Sequence, residues 1–174
     1  MKRALLMMAM LLWTGTSLVG QDQEKPQGAN ARDMLAQALK EARAEKKQVF
    51  LVFGSPACVW CDRLQQYHDK KEVSAILKKH FVFLKVDIFK NPGGKELYER
   101  FGEERGVPAF TVLDAEDKKI VDSADGGDNL GYPYEPEEIE QYFKLLRKCC
   151  PTLSEKEIEV LRSKLKEVAA KKKE

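Results

Sequence analysis

The chain has 174 residues, a length that fits one domain able to bury a core without help from disulfides or metals. Its 30 Lys and Arg against 28 Asp and Glu give a formal net charge of +2, so the balance calls for neither nucleic acid nor an anionic membrane as partner.

Lys2 and Arg3 precede an apolar run from Ala4 to Trp13, followed by Thr14 to Ser17 and then Leu18, Val19 and Gly20. This is the pattern of a secretory signal peptide, residues 1–20, with cleavage expected near Gly20 and an exported, periplasmic or secreted product. The apolar stretch is shorter than the roughly 20 residues of a membrane-spanning helix, so no stable membrane insertion is expected after cleavage. Gln21 in place of a cysteine argues against lipidation. Without residues 1–20 the chain holds equal numbers of basic and acidic residues, and Lys171 to Lys173 read as a solvated helix end. An exported protein meets an oxidising compartment, where thiol–disulfide chemistry is expected.

Residues 21–30 are polar, carry Pro26 and Gly28 and lack apolar periodicity, which predicts a flexible leader. From Ala31 to Lys46 the apolar residues recur at spacings of three and four, the stripe of an amphipathic helix. Val49 to Phe53 is a continuous apolar run ending in Gly54-Ser55-Pro56, as in a strand buried on both faces. A helical pattern follows from about Cys58 to Lys79 with a break near His68 to Lys71. Next come a strand over Phe81 to Val86, a short helix over Gly94 to Phe101, and strands over Ala109 to Leu113 and Lys119 to Asp122 joined as a hairpin. Two helices close the chain, Glu135 to Lys148 and Ser154 to Lys171, with Ser154 and Glu157 matching a capping box. A strand-helix-strand crossover with a late antiparallel hairpin predicts an α/β fold, a central mixed sheet flanked by helices on both faces, with an extra C-terminal helix.

A strand running into Cys58-Val59-Trp60-Cys61 at a helix start, with Gly106-Val107-Pro108 about fifty residues later before another strand, resembles the thioredoxin-like family. The resemblance covers roughly residues 31–148, leaving 149–174 as a C-terminal helical extension. It is similar to the exported bacterial members rather than to thioredoxin itself. It implies the thioredoxin fold and a thiol:disulfide oxidoreductase, a reductase or isomerase, acting on protein or peptide disulfides and served by a redox partner protein. No cofactor and no metal are implied.

A helix N-terminus offers free N–H groups and a positive dipole end, which lower a cysteine pKa and favour the nucleophilic thiolate at Cys58. Cys61, three residues on, lies on the same helical face within disulfide reach. Cys58 is therefore expected to attack a substrate disulfide and Cys61 to resolve the mixed disulfide. By resemblance Cys58 is the more exposed, Pro108 is cis and packs on the dithiol, and the Val107 backbone pairs with an extended substrate peptide. Trp60 is expected beside the dithiol as a substrate contact. Its alternative role is helix packing.

Some residues depart from the family pattern. Ala57 replaces the Trp before the first cysteine, Val59-Trp60 replaces Gly-Pro, and Val52 replaces a buried acid six positions upstream. Without that acid, the proton of Cys61 has to leave through Asp62, water or another base. The second class of function left open is a non-catalytic binding module with a structural Cys58–Cys61 disulfide.

Cys149-Cys150 before Pro151 reads either as a second redox pair or, the favoured reading, as one buried cysteine beside one exposed or cross-linked. Zinc, the other use of Cys-x-x-Cys, lacks a recognisable second ligand pair among Cys149, Cys150, His68 and His80. The histidines read as structural, His80 at a helix end. Asp125 to Asn129 has oxygen ligands without the calcium-loop spacing and reads as a turn. The tyrosines of Leu130-Gly131-Tyr132-Pro133-Tyr134 are expected near the dithiol, as candidate substrate contacts.

Overall fold

The computed structural model describes residues 28–125 and 127–170. The expected signal peptide, the expected leader up to residue 27 and Lys171 to Lys173 lie outside the described residues.

Four strands, β1 (Gln48–Gly54), β2 (Phe81–Asp87), β3 (Ala109–Leu113) and β4 (Lys119–Asp122), form a sheet in the order β2-β1-β3-β4. β1 runs parallel to β2 and antiparallel to β3, and β3 is antiparallel to β4. β1 lies inside the sheet with every residue from Val49 to Gly54 buried, as its unbroken apolar run requires. Alternation along the strand divides its side chains between two cores. Val49, Leu51 and Phe53 pack with α1 (Ala31–Glu45) and α4 (Gly94–Phe101), through Leu35, Leu39, Leu97 and Phe101. Phe50 and Val52 face the core of α2 (Val59–His68), α3 (Lys71–His80), α5 (Pro136–Cys149) and α6 (Glu155–Ala170). The result is the predicted mixed sheet with helices on both faces.

Local chemistry sets the element ends. Asn30 caps α1, its side-chain oxygen accepting from Arg32 N–H at 2.9 Å. The chain just before it is tied to the β2–α4 loop: Gly28 N–H donates to Lys90 O at 3.0 Å, and the Asn91 amide donates to Ala29 O at 2.9 Å. The long helical pattern after Cys58 is interrupted between His68 and Lys71, giving α2 and α3. Ser154 and Glu157 form the predicted capping box, with Ser154 N–H donating to Glu157 Oε2 at 2.9 Å and Glu157 N–H to Ser154 Oγ at 3.3 Å. Ile158, Leu161, Leu165 and Val168 along α6 are buried in the same core as α2, α3 and α5. Tyr67 Oη on α2 donates to Leu161 O at 3.2 Å, joining the last helix to the one that follows Cys58.

Candidate active site: the Cys58–Cys61 disulfide

The dithiol stands where β1 ends and α2 begins. Ala57 adopts φ 57°, a left-handed conformation that costs an L-residue about 1–2 kcal/mol and turns the chain sharply from strand into helix. Cys58 is then the N-cap of α2: its backbone is extended and its Sγ accepts from Cys61 N–H at 3.1 Å. Cys58 and Cys61 form a disulfide, with S–S 2.09 Å and Cα–Cα 5.2 Å. Cys58 is half-buried and Cys61 is buried, 7% exposed, so Cys58 is the more accessible of the two sulfurs. Free N–H groups of the first helical turn point at Cys58 and favour its thiolate after reduction.

Gly54 lies against the buried sulfur: a Cβ there would stand 3.5 Å from Cys61 Sγ, at ordinary van der Waals contact.

Across from the dithiol, the Val107-Pro108 peptide is cis. Val107 O lies 3.8 Å from Cys58 Sγ. In the disulfide this is a contact without a hydrogen bond, because the sulfur carries no proton. Pro108 is buried and Val107 half-buried. Gly106, with φ +95°, is held by one phenol: its N–H donates to Tyr98 Oη at 2.8 Å, and Tyr98 Oη donates to its carbonyl at 2.9 Å. On the other side Asn129 Nδ2 donates to Gly106 O and to Pro108 O, both at 3.1 Å.

The third wall is aromatic. Trp60, 37% exposed, lies parallel to Tyr134 with ring centroids 5.3 Å apart and to Tyr132 at 6.1 Å. The Arg63 guanidinium sits 5.9 Å from the Trp60 ring centroid. Val59 projects into solvent beside them, 63% exposed. Cys58, Cys61, Trp60, Val107 and Pro108 thus converge at one end of the sheet, and the tyrosines expected near the dithiol stack on Trp60.

Val52 is buried at the position of the family's acid, 7% exposed, with Lys85 opposite it on β2. Asp62 is exposed, and neighbouring residues on a helix do not share a face, so its carboxylate is turned away from Cys61. His68 is buried and neutral. Burial, and then the nearby Lys85 charge, push its pKa down to about 3, while its Nε2 lies 3.5 Å from Tyr142 Oη.

Cys149 and Cys150 are both buried and unpaired, which corrects the expectation that one would be exposed or cross-linked. The end of α5 tucks under the start of β1, where Gln48 Nε2 donates to Cys149 O at 2.8 Å. Burial, and then Cys150 beside it, raise the Cys149 thiol to about 12. The pair sits at the opposite end of β1 from the dithiol, roughly 20 Å away at the rise of a seven-residue strand, too far for direct exchange. Among the described residues no three His, Cys, Asp or Glu side chains converge as a metal site. In the turn, Asp125 Oδ2 accepts from Lys148 Nζ at 2.5 Å, and the Asn129 amide is engaged with the cis-proline loop. Tyr98 and Asn129 carry no sequence signal for their roles, because their partners are backbone atoms brought to them only by folding.

Residues 30–115 match the thioredoxin-like family. A disulphide isomerase from Xylella fastidiosa Temecula1 superposes with TM-score 0.53 at 20% identity, covering 89% of this chain and all of that one. A thioredoxin from Thermus thermophilus superposes with TM-score 0.49 at 22% identity, covering 72% of this chain and 88% of that one. Human spermatogenesis-associated protein 20 is 32% identical over 66 residues, which span 37% of this chain and 8% of that protein.

Proposed function

From the premise that this chain belongs, through residues 30–115, to the thioredoxin-like family, we propose that it is an exported thiol:disulfide oxidoreductase acting on protein disulfides. The observation that carries the reading is a disulfide whose outer sulfur caps a helix N-terminus and faces a cis-proline loop.

In the reducing direction the Cys58 thiolate attacks one sulfur of a substrate disulfide, and the other substrate sulfur leaves as a thiolate and takes a proton from water. Cys61, deprotonated, then attacks Cys58 Sγ and expels the second substrate thiolate. Two electrons pass to the substrate, and the Cys58–Cys61 disulfide remains until a partner dithiol protein reduces it. Val107 supplies backbone for an extended substrate strand, and Trp60 supplies an aromatic contact beside the reacting sulfurs. With Val52 apolar and Asp62 turned away, the Cys61 proton leaves to water. Among the described residues no helix is long and apolar enough to cross a membrane. The signal-peptide pattern of residues 1–20 supports export.

The test is the equilibrium of the dithiol with glutathione, together with turnover of a model protein disulfide, in wild type and Cys58→Ser. Turnover lost in Cys58→Ser supports the enzyme, and the potential decides its direction. A disulfide that resists reduction, with no turnover, would replace the enzyme by a peptide-binding module. Val52 is the observation that favours this second reading, since it leaves Cys61 without an internal base.

A further inference from the structure

We propose that Asn129, in the loop between β4 and α5, is the positioning residue that holds the Val107 backbone in register for a peptide substrate. The proposal rests on the reading of Val107 as the substrate-pairing strand and extends it to a residue in a different segment.

A primary amide has two N–H hydrogens and two lone pairs on its oxygen. In Asn129 all four are used. Nδ2 donates to Gly106 O and Pro108 O, both at 3.1 Å, the two carbonyls flanking Val107. Oδ1 accepts from Ser123 Oγ at 2.6 Å and from Gly131 N–H at 3.3 Å. The orientation is unambiguous, because a flipped amide would set its oxygen against two carbonyls. Ser123 is itself locked to β3: Phe110 N–H donates to its Oγ at 3.1 Å, and its N–H donates to Phe110 O at 2.8 Å. The rigid hairpin thereby reaches the cis-proline loop through one side chain. The same side chain starts the run that carries Tyr132 and Tyr134 against Trp60. The residues on either side of Val107 are consequently held, Gly106 by both Tyr98 and Asn129 and Pro108 by Asn129.

This role separates substrates that use backbone from those that do not. Hydroxyethyl disulfide offers no peptide to pair and needs only the dithiol. An extended peptide disulfide also needs Val107 in place.

Asn129→Asp keeps the acceptor for Ser123 and Gly131 and replaces the donor with a carboxylate oxygen facing two carbonyls. The expected result is a KM for the peptide disulfide raised about tenfold, the equivalent of one to two lost hydrogen bonds. Turnover of hydroxyethyl disulfide, which pairs with no backbone, should fall by a smaller factor than the peptide KM rises. Calorimetric binding of a serine analogue of the peptide, which has no sulfur, should weaken by the same factor and reads the positioning role without turnover. Asn129→Ser, uncharged and too short to reach the carbonyls, gives the same pattern if the aspartate variant melts below the assay temperature. Peptide KM and analogue binding left at wild-type values would overturn the proposal, as would equal losses on both substrates or a wild type that binds no peptide. A wild type that binds the analogue but turns over neither disulfide would sink the oxidoreductase reading and leave the positioning role standing.

Discussion

The indole of Trp60 lies face to face with the ring of Tyr134, centroids 5.3 Å apart and planes within 11° of parallel. The two residues come from α2 and from the loop before α5, so the stack fastens that loop beside the dithiol. Tyr134→Ala is expected to lower stability by at least about 1 kcal/mol, the value of an aromatic pair, with the loss of its buried area added to that. It should also raise the KM for a peptide disulfide severalfold without altering the dithiol's glutathione equilibrium. Trp60 is the single tryptophan of a chain beginning at Gln21, so its emission reports the loss of the stack directly.

Cys61 is buried behind Cys58, and in the proposed reaction it is the resolving thiol. A Cys61→Ser variant should accumulate a mixed disulfide between Cys58 and a substrate peptide, seen as an intact-mass increase that dithiothreitol removes. Cys58→Ser should show no such adduct. An adduct in both variants would place the attacking thiol elsewhere.

Cys149 should be inert in the folded protein, since burial raises its thiol to about 12. After reduction, iodoacetamide at pH 8 is expected to label Cys58 rapidly and to leave Cys149 unlabelled until denaturant is added. Peptide mapping of the alkylated protein checks this, and fast labelling at Cys149 would contradict the buried placement.

His68 should make the protein sensitive to mild acid. Its pKa falls from 6.5 in the unfolded chain to about 3 in the fold, so well above pH 6.5 both states are uncharged and the residue adds no pH dependence. As pH drops below 6.5 the unfolded state binds the proton first, and stability falls by up to about 1.4 kcal/mol per pH unit toward pH 3. Glu157, lowered to about 2 chiefly by its hydrogen bond with Lys79, adds its own loss only below 4.5. Urea titrations between pH 6.5 and 4.5 should therefore show a shallower slope in His68→Gln. An unchanged slope would mean that the buried imidazole titrates normally.

Leu161 on α6 is fully buried in the core shared with α2, α3 and α5. Leu161→Ala should cost about 2–5 kcal/mol, against less than about 0.5 kcal/mol for a substitution at the exposed Lys166. A small effect at Leu161 would show α6 to be a detachable appendage.

Much was legible in the sequence because it depends on neighbours along the chain. The buried strand before Gly54, the helix break near His68, the late hairpin and the Ser154–Glu157 cap follow from periodicity and local hydrogen bonding within a few residues, and the element ends agree to within about two positions. The Cys58–Cys61 pair was legible for the same reason, since three residues of helix set its separation. Only tertiary structure decided what stands around that pair. Tyr98 and Asn129 meet the Gly106 and Pro108 carbonyls across 8 to 23 positions of chain, and Trp60 meets Tyr134 from another element. Backbone partners leave no mark in residue type, so no spacing announced these contacts. Both cysteines near the end of α5 are buried for a similar reason: which side of a helix terminus faces the core depends on the strand it packs beneath, here the start of β1 at Gln48.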